Sequence, residues 1–315
     1  MNKVTNKKIL IIGNEGYIGS LLFQKLQADF SVDGIDTCWF GNRNTITLKL
    51  DYKDLTETQL SCYDVIILLA AHSSVKMCLG NPIFSHNNNV NNFLELISKL
   101  ENIKNSKRIK LIYASSSSVY GNTKEKPYDE SSIVFKPHNN YDSTKFINDI
   151  YAELSSVEFY GLRFGTVNGF SPVVRNDVMI NSMLSSAFKN GHIKLYNKDI
   201  FRPILGTNDL YRAIKAIIDS DEDNRGIYNL ASFNTNSGDI AKSVSLMVGV
   251  EIIEIDTHDE NNKNTLYNFS IDSDKFKNTF DFNFNETVDS IVSGIIENKS
   301  TLIETNRNEV ISYEL

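Results

Sequence analysis

Short apolar runs alternate with longer segments of helical periodicity through the first half of the chain. Residues 8–12 are almost entirely apolar and read as a buried strand, followed by glycines and a helix over about 18–26. Residues 31–36, 45–50 and 65–70 make the next three strands. Val90, Phe93, Leu94 and Ile97 recur at the spacing of one helix face, which predicts a helix over 88–100. A fifth strand over 110–114, a helix over 141–154 and a sixth strand over 157–164 complete the series. Strands that are apolar throughout, rather than alternating, are buried on both faces. Their alternation with helices implies a parallel sheet covered on both sides. With right-handed crossovers this is an α/β, Rossmann-type doubly wound domain.

After Gly165 the rhythm changes. A helix over 177–190, a short strand over 193–196 and a helix over 208–220 precede a run at 226–231 that can return to the main sheet. The simplest division places 1–167 and 207–232 in the Rossmann domain. Residues 168–206 and 233–315 then form a smaller C-terminal α/β lobe.

Composition narrows the partners. The chain has 315 residues, 41% hydrophobic and 23% charged, with a net charge of −7. An acidic balance argues against nucleic acid, because phosphate neutralisation needs clustered Lys and Arg. The apolar run Ile9 to Ile12 is far below the ~20 residues of a membrane span and too short for a secretory leader. Three cysteines, Cys38, Cys62 and Cys78, show no metal-ligand spacing and cannot all pair. The expectation is a cytoplasmic protein with no membrane partner.

The candidate chemistry begins at Gly13-Asn-Glu-Gly16-Tyr17-Ile18-Gly19, between the first strand and the first helix. Gly13 permits a tight turn, Gly16 a close approach of pyrophosphate to the backbone, and Gly19 close packing of the helix. The helix N-terminus adds free N–H groups and a positive dipole end. Asp36 closes the second strand, where an acid accepts from the adenosine ribose hydroxyls. Asp33 is near, but it still lies within the strand run. A carboxylate at that place repels a ribose phosphate, which favours NAD over NADP.

Further along, the fifth strand runs into Ala114-Ser-Ser-Ser-Ser-Val-Tyr-Gly121, and later comes Tyr141-Asp-Ser-Thr-Lys145. Tyr141 and Lys145 are four apart and share a helix face. A phenol, with a pKa of about 10, is a poor base at neutral pH, and a nearby ammonium and a positive nicotinamide both favour the phenolate. Tyr141 so placed is an acid/base for a hydroxyl or carbonyl. A serine at the end of the strand can hydrogen-bond the same oxygen.

Taken together, Gly13/Gly16/Gly19, Asp36, Asp51 with Tyr52, Leu69-Ala70-Ala71, Asn89 before Val90, Ser116 with Tyr120-Gly121, Tyr141/Lys145 and Leu162-Arg163-Phe164 resemble the extended short-chain dehydrogenases/reductases. These are the NAD-dependent epimerase/dehydratase group, which modifies nucleotide sugars. Arg202-Pro203 with Asp209-Leu210 is similar to that family's phosphate-binding Arg and the helix-starting acid after it, and Gly226 to Ala231 to its late strand. The resemblance covers most of the chain. It implies that Ser116 is the catalytic hydroxyl (preferred to Ser115 only by its spacing from Gly121), Tyr141 the acid/base, and Lys145 its electrostatic partner and ribose ligand. It implies further NAD contacts from Gly13, Gly16, Tyr17, Ile18, Gly19, Asp36, Asp51, Tyr52, Leu69, Ala70, Ala71, Asn89 and Phe164. The smaller lobe then takes the nucleotide sugar, with Ser73, Ser74, Ser116 and Ser117 toward the sugar and Asn181 and Arg202 toward the diphosphate. A homodimer through the helices at 88–100 and 141–154 is implied as well.

Departures from the family pattern select among its reactions. The 4,6-dehydratases of the family carry an Asp-Glu pair where this chain has Ser117 and Ser118, so elimination of water has no obvious catalyst here. Thr166 replaces a family Asn, and near the expected diphosphate the late lobe offers only Lys263. His72 reads as a packed loop histidine rather than a second acid/base. The expectation is an NAD-dependent 4-epimerase or 4-dehydrogenase of a nucleotide-activated sugar, such as a GDP-linked heptose of a surface polysaccharide. An NAD(P)H-dependent 4-ketoreductase is the alternative. A non-catalytic NAD-binding regulator is the alternative of another class, against which the intact Ser116/Tyr141/Lys145 set argues.

Overall fold

The computed structural model describes residues 7–39, 41–103, 108–122, 126–132, 134, 136–255 and 268–300. Within them the strands are, in chain order, β1 Lys8–Ile12, β2 Ser31–Asp36, β3 Leu48–Lys49, β4 Val65–Leu68, β5 Lys110–Ser116 and β6 Glu158–Phe164. They continue with β7 Thr166–Asn168, β8 His192–Tyr196, β9 Phe201–Gly206, β10 Gly226–Leu230, β11 Phe233–Asn236 and β12 Glu251–Ile255. Seven of them form one sheet in the order β10-β6-β5-β4-β1-β2-β3, with every neighbouring pair parallel. The chain reverses its direction of strand addition between β1 and β4, and a crevice opens there at the carboxyl ends of the strands.

Successive side chains of a strand face opposite ways, and β1 shows the consequence. Ile9 and Ile11 pack against Leu22 and Phe23 of the helix Tyr17–Leu26 and Ile214 and Ile217 of the helix Thr207–Asp219. Leu10 and Ile12 face the other way, toward Phe93, Leu96 and Ile97 of the helix Asn92–Asn102. Burying each such side chain contributes about 1.5–3 kcal/mol, so the sheet is held rigidly between its two helical layers.

The third strand is shorter than the expected 45–50. Glu15, buried in the glycine-rich turn, accepts from Arg43 N at 2.9 Å, Asn44 N at 3.3 Å and Thr47 Oγ1 at 2.5 Å. Those bonds hold 43–47 as a loop against the turn, and only Leu48–Lys49 pair with β2. The fourth strand likewise stops at Leu68, because Leu69 N and Ala70 N both turn to donate to Ile12 O.

The smaller lobe contains the three-stranded sheet β11-β9-β7 and the pair β12-β8. Ile180, Leu184, Ile193, Val244, Ile291 and Val292 form its core. One segment assigned to this lobe from sequence belongs elsewhere: Phe276 and Phe282 pack into the Rossmann core beside Tyr228. Tyr17 Oη donates to Gly169 O at 2.7 Å and Ser171 Oγ to Tyr17 O at 2.5 Å, which fastens the first helix to the lobe's entry loop. Among the described residues no helix is long and apolar enough to cross a membrane.

Candidate active site

The crevice is a cleft of about 1770 Å³, partly open to solvent, running from the end of β2 across the glycine-rich turn to the smaller lobe. Its floor is set by backbone geometry. Gly13 has φ +95°, and a Cβ there would lie 2.6 Å from Ala70 N. A Cβ on Gly19 would meet Gly13 O at 2.0 Å. Only glycines let the turn fold under the helix and leave the helix N-terminus facing the cleft. Gly16, Tyr17 and Ile18 line the same stretch.

At the adenosine end Asp36 lines the cleft, its carboxylate fixed by Glu15 N at 3.0 Å and Cys38 N at 2.7 Å. Asp51 and Tyr52 also line it, and the Tyr52 hydroxyl donates to Asn88 O at 3.1 Å. Leu69, Ala70, Ala71 and Phe164 form the middle of the wall. A narrow glycine cradle, a free helix N-terminus and an acid at the end of the second strand fit NAD.

At the other end three side chains converge. Strand β5 carries Ser116 to its carboxyl end, and the helix Asn140–Leu154 presents Tyr141 and Lys145. Ser116 and Tyr141 line the same end of the cleft. Lys145 Nζ donates to Ala114 O at 2.6 Å and lies 5.9 Å from the centre of the Tyr141 ring. Burial pushes the Tyr141 phenol up to about 12, with the neighbouring Asp142 adding to the rise and Ser116 and the Arg175 charge opposing it. Burial pushes the Lys145 amine down to about 8, against the pull of Asp149 one turn further along. The helix is held in place by a buried network. Arg163 of β6 donates to Asp149 Oδ2 at 2.8 Å and to Tyr120 Oη at 2.7 Å, while Tyr113 Oη donates to Asp149 Oδ1 at 3.0 Å.

Of the residues expected on the sugar side, Ser73, Ser74, Ser116, Ser117 and Arg202 line the cleft. Ser74 also caps the helix Val75–Gly80 by accepting from Met77 N, and the Ser117 hydroxyl donates to Phe164 O at 2.7 Å. Arg202 sits within β9, over the Phe269 ring at 5.7 Å. Two expectations are corrected. Asn181 is fully buried and off the cleft wall: its Oδ1 accepts from Gly169 N and its Nδ2 donates to Gly169 O and Arg175 O. Asn89 is buried behind the wall, its Oδ1 accepting from His72 N and its Nδ2 donating to His72 O and Thr144 Oγ1. Both amides are bonded to the backbone of the loops around them. His72 is buried against Trp39 and Phe84. Lys263 lies outside the described residues.

The cleft also contains residues that the sequence reading did not assign. Arg175 lines it, steered by a bidentate pairing with Asp177 at 2.9 and 2.7 Å, and so do Thr166, Val178, Trp39 and Phe269. The cluster Arg175-Asn176-Asp177 just before the lobe's first helix was the available signal.

A seven-stranded parallel sheet with a glycine-rich cofactor cradle, joined to a Ser–Tyr–Lys constellation under a second lobe, defines an extended short-chain dehydrogenase/reductase. The sequence model described as the NAD dependent epimerase/dehydratase family matches residues 9–231, and the chain belongs to that family. It is 30% identical over 239 residues to protein CapI of Staphylococcus aureus, covering 67% of this chain and 69% of that one. It is 31% identical over 221 residues to a UDP-glucose 4-epimerase of Mycoplasma genitalium, covering 61% and 63%. A solved structure of UDP-glucuronic acid 4-epimerase from Bacillus cereus, in complex with UDP-glucuronic acid and NAD, superposes with a TM-score of 0.78 over 94% of this chain and 99% of that one, at 20% identity. That last likeness speaks for the fold.

Proposed function

We propose that this protein is an NAD-dependent 4-epimerase of a UDP-linked sugar. The observation that carries the reading is the meeting of Ser116, Tyr141 and Lys145 in one cleft at the junction of cofactor cradle and lobe, with Lys145 Nζ 5.9 Å from the Tyr141 ring. The glycine turn at Gly13–Gly19 and Asp36 would hold NAD, which would supply a hydride acceptor and donor for the ring carbon. Tyr141 takes the proton of the sugar hydroxyl as that carbon is oxidised, and gives it back to the ketone oxygen as the carbon is reduced. Ser116 holds the same oxygen, and the Lys145 ammonium favours the phenolate. Elimination of water has no base here, because Ser117 and Ser118 hold the positions after Ser116 and their hydroxyls donate to Phe164 O and Asp142. The Mycoplasma genitalium and Bacillus cereus proteins named above are 4-epimerases of UDP-linked sugars, which favours UDP over the GDP-linked heptose expected from sequence. Incubation with UDP-glucose, UDP-glucuronic acid, UDP-N-acetylglucosamine and a GDP-sugar, followed by NMR of the products, tests this. The expected result is equilibration of one UDP-sugar with its C4 epimer and no net absorbance change near ~340 nm. A stoichiometric change would instead mark a dehydrogenase or ketoreductase, and bound NAD with no conversion a regulator.

The substrate's diphosphate falls to Arg202. A guanidinium meets it with two parallel charge-assisted bonds that an ammonium cannot reproduce. Arg202→Lys is expected to weaken UDP binding about tenfold while leaving NAD affinity and melting temperature unchanged. Calorimetric titration with UDP checks it, and equal affinities would take Arg202 out of the site.

A homodimer is part of the same reading. On the helix Asn140–Leu154, Ile150, Tyr151 and Leu154 are exposed, an apolar patch that a twofold mate would cover. Sedimentation at micromolar protein is expected to show twice the 35.6 kDa chain mass, and only single-chain particles would refute it.

A further inference from the structure

Far from the acid/base, a buried carboxylate holds the segment that follows β2. Glu15, in the glycine-rich turn, is 1% exposed. Arg43 N donates to its Oε2 at 2.9 Å, and Asn44 N, Asn44 Nδ2 and Thr47 Oγ1 donate to its Oε1 at 3.3, 3.0 and 2.5 Å. Burial alone pushes this carboxyl up. The hydrogen bonds from Thr47, Arg43 and Asn44 outweigh it and hold the group below its ordinary pKa. Glu15 is therefore ionised, and both oxygens accept from residues 43–47.

Trp39 stands four residues before Arg43. Cys38, just before it, has φ +62°, a left-handed conformation that a residue with a side chain keeps only where its surroundings fix it. Here Cys38 N donates to Asp36 Oδ1 at 2.7 Å and Cys38 O accepts from Gly41 N at 3.0 Å. Beyond this turn Trp39 lines the cleft. Its ring centre lies 5.3 Å from that of His72 and 6.3 Å from that of Phe84, on the helix Pro82–His86. His72 follows Ala70 and Ala71 after β4, and β1 lies between β2 and β4 in the sheet. A contact from the segment after β2 to the segment after β4 thus spans the carboxyl end of β1, where the glycine-rich turn begins.

We propose that Trp39, closed on His72 and Phe84, retains NAD in the cleft, and that Glu15 is the positioning residue which holds Trp39 there through residues 43–47. Asp36 stands on one side of the glycine-rich turn and Leu69, Ala70 and Ala71 on the other, and the aromatic contact joins those two sides. A cofactor lying along the turn leaves when that contact opens. Each aromatic pair is worth about two- to tenfold in an equilibrium or a release rate. The inference needs NAD binding alone and holds for any substrate.

Protein loaded with labelled NAD is chased with excess unlabelled NAD, and the loss of bound label is timed. Release is expected to be about tenfold faster in Trp39→Ala, where both ring contacts are lost, and near the wild-type rate in Trp39→Phe, which keeps a ring. Phe84→Ala removes the other side of the contact and is expected to speed release as well, which keeps the test open if Trp39→Ala does not fold. Glu15→Gln turns an NH₂ toward groups that can only donate, so a bond to 43–47 is lost and release is expected to quicken by about threefold. Trp39 is the chain's single tryptophan, and in NAD-free Glu15→Gln its emission is expected to shift to the red as the ring meets water. If Glu15 acts through Trp39, Glu15→Gln adds nothing in the Trp39→Ala background. No substrate is present, so a wild-type protein that converts no nucleotide sugar would refute the proposed function and leave this inference standing. Equal acceleration by Glu15→Gln in both backgrounds overturns the link from Glu15 to Trp39. A lower melting temperature in Trp39→Ala with release at the wild-type rate makes the tryptophan merely structural and overturns the whole.

Discussion

Replacing Tyr141 by Phe is expected to lower turnover by about 10²–10⁴-fold while leaving NAD bound. The reaction needs one group that takes and returns the same proton at the oxygen of the reacting carbon. Ser116 cannot replace it, since an aliphatic hydroxyl is far too weak an acid, and Lys145 is held below the ring with Nζ on Ala114 O. Phe keeps the ring and removes only the oxygen. The packing of the helix Asn140–Leu154 then survives, because the Arg163–Asp149 pair and the Asn139 cap that hold it do not involve the phenol. Product NMR gives the rate, and equilibrium dialysis with labelled NAD gives the cofactor affinity. Turnover within a few-fold of the wild type would remove Tyr141 from the mechanism. Lost NAD together with lost turnover would assign it to binding instead.

The parts of this site that were legible in the sequence are those whose chemistry demands a residue type at a fixed spacing. Gly13 and Gly19 could be read because a turn with positive φ and a helix packed onto its own turn tolerate nothing larger. Tyr141 and Lys145 could be read because one helical turn brings them together. Ser116 over Ser115 followed from spacing alone, and the strand explains it. Ser116 closes β5 in the same cleft as Tyr141, whereas the Ser115 hydroxyl is buried and makes no hydrogen bond among the described residues. The two expected ligands that lie off the cleft wall have a common feature. Asn89 and Asn181 are amides, which serve a loop backbone as readily as a ligand, and a one-dimensional pattern does not tell which way an amide faces. Arg175 is hidden in the sequence for the opposite reason. It lies 34 positions after Tyr141 in the sequence, and only the packing of the lobe's entry loop on the first helix brings it to the same cleft. The third strand is shorter than its sequence pattern because the acid that shortens it, Glu15, is 28 residues upstream of Arg43.

Lys145→Met is expected to make the protein inactive and more stable at once. The amine is 5% exposed, and burial sets its folded value near 8 against an ordinary 10.5. The ammonium is thus bound less tightly in the folded state than in the unfolded one. Below pH 8 both states are protonated, and the full penalty of burying the charge is present. Between about 8 and 10.5 the unfolded state holds a proton that the folded state has shed, so stability rises with pH across that window and is flat above it. At 1.36 kcal/mol per unit the penalty at neutral pH has an upper bound of about 3 kcal/mol. Methionine removes it and fills most of the same volume, but it loses the bond to Ala114 O, which offsets about 1–2 kcal/mol. The net expectation at pH 7 is a gain of about 1 kcal/mol, a rise of a few degrees in melting temperature for NAD-free protein. The difference from wild type should vanish or reverse by about pH 11, where the lysine is neutral in both states. Turnover should fall by about 10²–10³-fold, because the charge that favours the phenolate is gone. Melting curves at pH 7 and pH 10 for both proteins decide the matter. A mutant that melts below the wild type at pH 7 would show that the Ala114 bond outweighs the buried charge, and that Lys145 is there for the fold before it is there for the proton.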